Sequence, residues 1–187
     1  MFRYAILLAL IAITWTSSVY AQKSVSERTQ DLIAQLDKTK SKKKNKGGVE
    51  RELFVEVKFV PTPEGDIRDF SGKYLSSQDP RDGLTRGLEM EVAADGSVSG
   101  KGYDLMSIEG GREYFTLKDA RVSDSLLTAT RVFRDRSEPF DAVFVIATRR
   151  DGTTRKDAKV TKTAVGIAYM HNMPEGGTVR AFLEKMK

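Results

Sequence analysis

Leu84-Thr85-Arg86-Gly87-Leu88-Glu89-Met90-Glu91-Val92, followed by Ala93-Ala94-Asp95-Gly96 and then Ser97-Val98-Ser99-Gly100-Lys101-Gly102-Tyr103, is the stretch that decides the fold class. Leu84, Leu88, Met90 and Val92 share one side of a period of two, with Glu89 and Glu91 on the other. Pleating sends successive side chains to opposite faces of a strand, so the pattern marks a half-buried strand. Asp95-Gly96 predicts a tight hairpin, because such turns need residues that accept positive φ. The returning strand carries Val98, Gly100 and Gly102 on one face. Strand glycines mark a bend or a close approach of backbones, so the sheet is expected to curve.

The same period extends in both directions. Val55, Val57 and Phe59 alternate with Glu56 and Lys58 in a strand over Leu53–Val60, which Pro61 and Pro63 stop. Phe70, Gly72 and Tyr74 share a face of the next strand. Further strands are expected over 113–118, 126–133, 140–148 and 160–170, with Asp151-Gly152 as a turn. That makes about eight antiparallel strands, a mainly β domain over 49–187 built as a small barrel or strongly curved sheet. Ala142 to Ala147 and Val165 to Met170 are apolar on both faces, so something must cover their outer side. Val179, Phe182, Leu183 and Met186 fall at i, i+3, i+4 and i+7, predicting a C-terminal amphipathic helix as that cover.

Phe70-Ser71-Gly72-Lys73-Tyr74 resembles the opening Gly-x-Trp strand of the calycin barrels, the lipocalins and avidins. Leu88 to Val92 with Asp95-Gly96 and Gly100 is similar to the hairpin that follows it there. Tyr74 stands where that family has Trp, and the later lipocalin motifs have no clear counterpart. The resemblance implies a closed sheet with a small-molecule cavity. Avidin-type biotin sites are lined by several Trp, whereas the only Trp of this chain is Trp15, so biotin is not the expected ligand.

Trp15 lies in an amino-terminal segment that reads as a secretory signal: Arg3, an apolar run from Ala5 to Trp15, and a cleavage site after Val19-Tyr20-Ala21. Residues 1–21 are therefore expected to be removed, leaving a periplasmic or extracellular protein without a transmembrane span; retention as an anchor is the rival reading. The chain has no Cys, so no disulfide can form in that compartment and the core alone must hold the fold. Over 22–46, eight basic residues face three acidic ones, which concentrates the positive charge in an arm. Ser24 and Glu27 have capping-box spacing, and Val25, Leu32, Ile33 and Leu36 form a narrow stripe, so 22–48 is expected to start as a helix. It then passes into a linker carrying Lys38, Lys40, Lys42, Lys43, Lys44 and Lys46. Two readings of that run stand: a polybasic tether for an anionic envelope surface, and a solvated spacer. No aromatic residue interleaves it for base stacking, and nucleic acid is set aside as a partner.

A single His and no Cys exclude most zinc sites, thiol nucleophiles and His-centred triads. Phosphate loops, dinucleotide fingerprints and EF-hand loops are missing, and neither catalysis nor a cofactor or metal is expected. His171 reads as a surface or capping residue, Ser99 and Lys101 as a solvated pair, and Asp79-Pro80-Arg81-Asp82-Gly83 as a plain loop. Arg86 and Arg131 stand apart, because parity places each on an apolar face, and a buried charge is costly unless something pairs with it. One reading makes them hold the acidic head group of a ligand walled by Tyr74, Tyr114, Met90 and Phe133; the other turns them to solvent at strand ends. The expected function is noncatalytic binding of a small, partly apolar molecule within the sheet. The competing class is a structural or protein-interaction module of the cell envelope; an unrecognised hydrolase is third.

Overall fold

The computed structural model describes residues 24–38, 54–63, 65–76, 86–105, 111–152, 156–172 and 178–187. The signal segment, Lys40 to Lys46 and the loop Asp79 to Gly83 lie outside the described residues. Among the described residues one α-helix, α1 (Val25–Lys38), precedes nine strands: β1 (Phe54–Pro61), β2 (Gly72–Ser76), β3 (Gly87–Val92), β4 (Ser97–Leu105), β5 (Arg112–Ser123), β6 (Leu126–Val132), β7 (Ser137–Gly152), β8 (Lys159–Asn172) and β9 (Thr178–Lys185). Every pairing is antiparallel, and β2 through β9 close an eight-stranded barrel through the β2–β9 ladder, where Leu75 opposes Glu184. β1 is an extra strand along the far half of β7, from Phe54 opposite Gly152 to Pro61 opposite Val145.

The decisive hairpin forms as expected. Gly96 takes a φ of 80°, and its carbonyl accepts a hydrogen bond from Val122 N at 2.8 Å, so the β3–β4 turn is clamped to β5. A Cβ on Gly102 would come within 2.4 Å of the Phe115 ring and 2.5 Å of the Gly87 carbonyl. This is the close approach that the strand glycine implied, and a register shift between Val98 and Lys101 adds curvature.

The barrel interior is one buried cluster containing Tyr74, Met90, Phe115, Phe140, Phe144 and Tyr169. A short 3-10 helix, Ile67–Phe70, packs against that cluster, with the Phe70 ring stacked on Phe144 at 4.0 Å. Tyr74 donates its hydroxyl hydrogen to the Phe70 carbonyl at 2.6 Å, which ties the start of β2 to this turn.

Two expectations are corrected. Asp151-Gly152 ends β7 instead of turning the chain. The C-terminal segment is the strand β9, not a helix, and it lies between β8 and β2. A helix there would leave the facing edges of β2 and β8 without backbone partners, a cost that a helical stripe of four side chains does not offset. The two apolar faces of the segment are both used: Leu183 is buried inside, while Phe182 packs outside, 5.9 Å from the Phe59 ring.

The cover for the doubly apolar strands is α1. Leu36 is fully buried against the outer face of β7 and β8 in a cluster with Phe59, Val143, Val145 and Ala168, and Leu32 and Ile33 pack beside it. The helix starts with the expected capping box, in which Glu27 N donates to Ser24 Oγ at 3.2 Å and Ser24 N donates to the Glu27 carboxylate at 2.8 Å. Arg28 pairs with Asp141 of β7 at 2.6 Å, and Arg180 of β9 donates to the Leu36 carbonyl at 3.2 Å. Lys38 is the last residue of α1. Among the described residues no helix is long and apolar enough to cross a membrane.

Candidate functional site

Arg86 and Arg131 both point into the barrel, 9% and 5% exposed, on the apolar face where parity placed them and not turned to solvent as the rival reading had it. They share Asp104, itself 5% exposed: Arg131 Nη1 lies 3.0 Å from its Oδ2, and Arg86 Nε lies 3.4 Å from its Oδ1. Arg131 Nη2 also donates to the Glu138 carboxylate. The guanidinium sits among aromatic faces, 4.9 Å from the Phe140 centroid, 5.3 Å from Phe115 and 5.5 Å from Phe133. Two cations are thus set against two carboxylates, Asp104 buried and Glu138 at the edge of the cluster, while Arg86 Nε, Arg131 Nε and Asp104 Oδ1 are buried without a hydrogen-bond partner among the described residues. Among the described residues no set of three or more His, Asp or Glu side chains is placed to hold a metal ion.

His171 borders this cluster with its Nδ1 buried and without a hydrogen-bond partner among the described residues. Burial, reinforced by the positive Arg86 nearby, holds its imidazole below the ordinary value of 6.5. The unfolded chain therefore takes up this proton before the folded one as the pH falls. The resulting stability is complete above the unfolded value and declines as the pH drops through it toward the lower folded one. Urea midpoints measured at about pH 7.5 and about pH 5.5 should diverge in the native chain and converge in His171→Gln; an unchanged gap would remove His171 as the source.

Three of the other expected wall residues, Tyr74, Met90 and Phe133, lie in the same buried cluster as the rings around Arg131, and Phe133 also packs beneath Arg136, 4.0 Å from its guanidinium. Tyr114 is a correction: it is 64% exposed on the outer face, because Phe115 takes the inward position of β5. Ser99 and Lys101 are exposed on that same outer face.

Tyr114 belongs to a different feature, an outer hollow of about 700 Å³ across β2 to β6. Register explains its composition. Leu75 opposes Gly87, Gly87 opposes Tyr103, and Tyr103 opposes Tyr114, so four outward positions run in a row across the ladders. Gly87 makes the floor, since a Cβ there would lie 2.5 Å from the Tyr103 ring that covers it. The Tyr103 and Tyr114 centroids are 6.1 Å apart with the rings inclined at 54°. Val132 extends the apolar surface, while Lys73, Lys101, Arg134 and Glu89 stand around it.

Sequence reasoning did not reach Asp104, Glu138, Tyr103 or Leu75 as site residues. Parity carried two residues past Gly102 reaches Asp104, and parity back from Phe140 reaches Glu138; stopping the strands short hid both. The grouping of Leu75, Tyr103 and Tyr114 depends on register between four strands, for which there is no local signal.

Comparison of the chain with protein-family models, with curated proteins and with solved structures found no match.

Proposed function

We propose that the chain is an exported, noncatalytic binding protein on a calycin-like barrel, and that its small, partly apolar ligand seats in the outer hollow floored by Gly87, Tyr103 and Tyr114. One observation carries the reading: the hollow, at about 700 Å³, has the volume of a small-molecule site and is lined by aromatic and aliphatic surface with a few charged groups. The barrel interior offers less. Arg131 already spends its charge on Asp104 and Glu138, Arg86 lies 3.4 Å from Asp104, and the interior is filled by packed aromatic rings. Assignment to the calycin group belongs to the same proposal; it rests on Phe70 to Tyr74 and on the closure of eight antiparallel strands.

The test is native mass spectrometry on the full chain purified gently from its own host. A reproducible added mass that disappears on denaturation is expected. Gly87→Val should abolish it, because the new side chain occupies the place of the Tyr103 ring. Circular dichroism confirms that the variant is folded, and Tyr114→Ser provides a second test at an exposed position. A folded native chain that carries no added mass, and gains none from a host extract, would overturn the proposal.

A second reading, an interaction module of the cell envelope, has its own observation. β1 and the far halves of β7 and β8 expose Val60 and Val165 at 59% and 45%, with Ile146 between them in register. A clean multimer in the same spectrum would favour that class.

A further inference from the structure

We infer that the occupant of the outer hollow is an amphipathic organic anion, a ring-bearing apolar body joined to a carboxylate or sulfonate. The inference rests on reading the hollow as the binding site, and charge complementarity carries it further. Lys73, Lys101 and Arg134 line the hollow, and Arg112 stacks on Tyr103 with its guanidinium 4.6 Å from the ring centroid. Among the described residues that line the hollow, the acid set against these four cations is Glu89. Its pairing with Lys73 is 3.5 Å long between side chains that are 49% and 67% exposed, and pairs of that kind hold their partners weakly. Lys101 stands opposite Glu89 in the β3–β4 register, so the same carboxylate is the nearest acid in register with both lysines.

The apolar part of the occupant follows from the floor. Tyr114 leaves 64% of its surface in water and Leu75, at the other end of the row, leaves 37%, while Val132 lines the hollow on β6 beside β5. Arg112 already covers Tyr103, which leaves the Tyr114 ring as the platform for an incoming ring. A neutral apolar molecule would use this floor and leave the cations idle, whereas a cationic one would be repelled by them. An anion with an apolar ring satisfies both features, its charged group at Lys101 and Arg134 and its body on Tyr114.

Two probes that share an aromatic body separate the contributions: anilinonaphthalene sulfonate carries the anionic group, and phenylnaphthylamine lacks it. Titrated by fluorescence into the full chain, the sulfonate is expected to bind about tenfold more tightly at low salt, with the advantage shrinking as salt is added. Lys101→Glu with Arg134→Glu should erase the advantage, both sites being exposed and remote from the core. Tyr114→Ala should weaken both probes alike. Equal affinity of the two probes, with no response to the charge reversal, would overturn the anion and leave the hollow standing as a site. Binding of neither probe, or sulfonate binding that ignores Tyr114→Ala, would overturn the hollow and the anion together.

Discussion

Arg131→Ala is expected to cost about 3–5 kcal/mol of folding stability, the scale set by leaving a buried charge without its partner. The Arg131 guanidinium bridges Asp104 and Glu138, so its loss leaves Asp104, only 5% exposed, with the longer 3.4 Å contact from Arg86. The truncation also removes a cation from between the Phe115, Phe133 and Phe140 rings and empties their midst. Urea denaturation followed by circular dichroism measures the loss, and an unchanged slope would place it in the folded state. Arg136→Ala is the matched control: its pair with Glu113 lies nearer the surface, with Arg136 40% exposed, and should cost about 1 kcal/mol or less. Replacing the whole knot, by Arg86→Met, Asp104→Leu and Arg131→Met together, should recover most of what Arg131→Ala loses, because apolar groups of similar size need no partners. A single-variant loss under about 1 kcal/mol would mean that water reaches Asp104 and that the cluster is not a desolvated one.

Leu36→Ala is the second large effect, at about 2–5 kcal/mol, the range for deleting a buried leucine and leaving a cavity. Leu36 has no exposed surface, and the atoms around it belong to Phe59, Val143, Val145 and Ala168, on strands distant in the sequence. The same substitution in a helix free of the barrel would stay within about 0.5 kcal/mol, so the measurement reports docking directly. Hydrogen exchange adds a spatial readout: amides of α1 should lose protection in the variant before those of β3 and β4 do. If the stability changed by less than about 0.5 kcal/mol, the outer faces of β7 and β8 would need another cover.

The chain discloses the ion-pair cluster and the docked helix unequally. That Arg86 and Arg131 fall on an apolar face follows from their neighbours, because alternation is a property of one strand, while their burial and not a turn to solvent is decided by the fold. That Asp104 and Glu138 neutralise them follows from where β4 and β7 run relative to β6, which parity alone does not supply. Likewise the apolar outer faces of 142–147 and 165–170 announce a missing cover in their own residues. Which segment provides it was a contest between two stripes, Val25 to Leu36 and Val179 to Met186, of similar local appearance.

Backbone hydrogen bonding settled that contest. A closed sheet has to satisfy the edges of β2 and β8, and only an extended segment can do so, which draws 178–185 into the barrel as β9 and leaves α1 to cover β7 and β8. The outer hollow has the same origin, since Leu75, Gly87, Tyr103 and Tyr114 come from four strands and meet only when the ladders fall into register. Strand period, the Asp95-Gly96 turn, the capping box at Ser24 and the place of the two arginines on an apolar face were determined by the sequence itself, because each depends on φ, ψ or neighbours within a few residues. The closing strand, the docked helix, the ion-pair partners and the hollow were decided by the tertiary structure, because each depends on pairing edges and filling space between segments far apart in the chain.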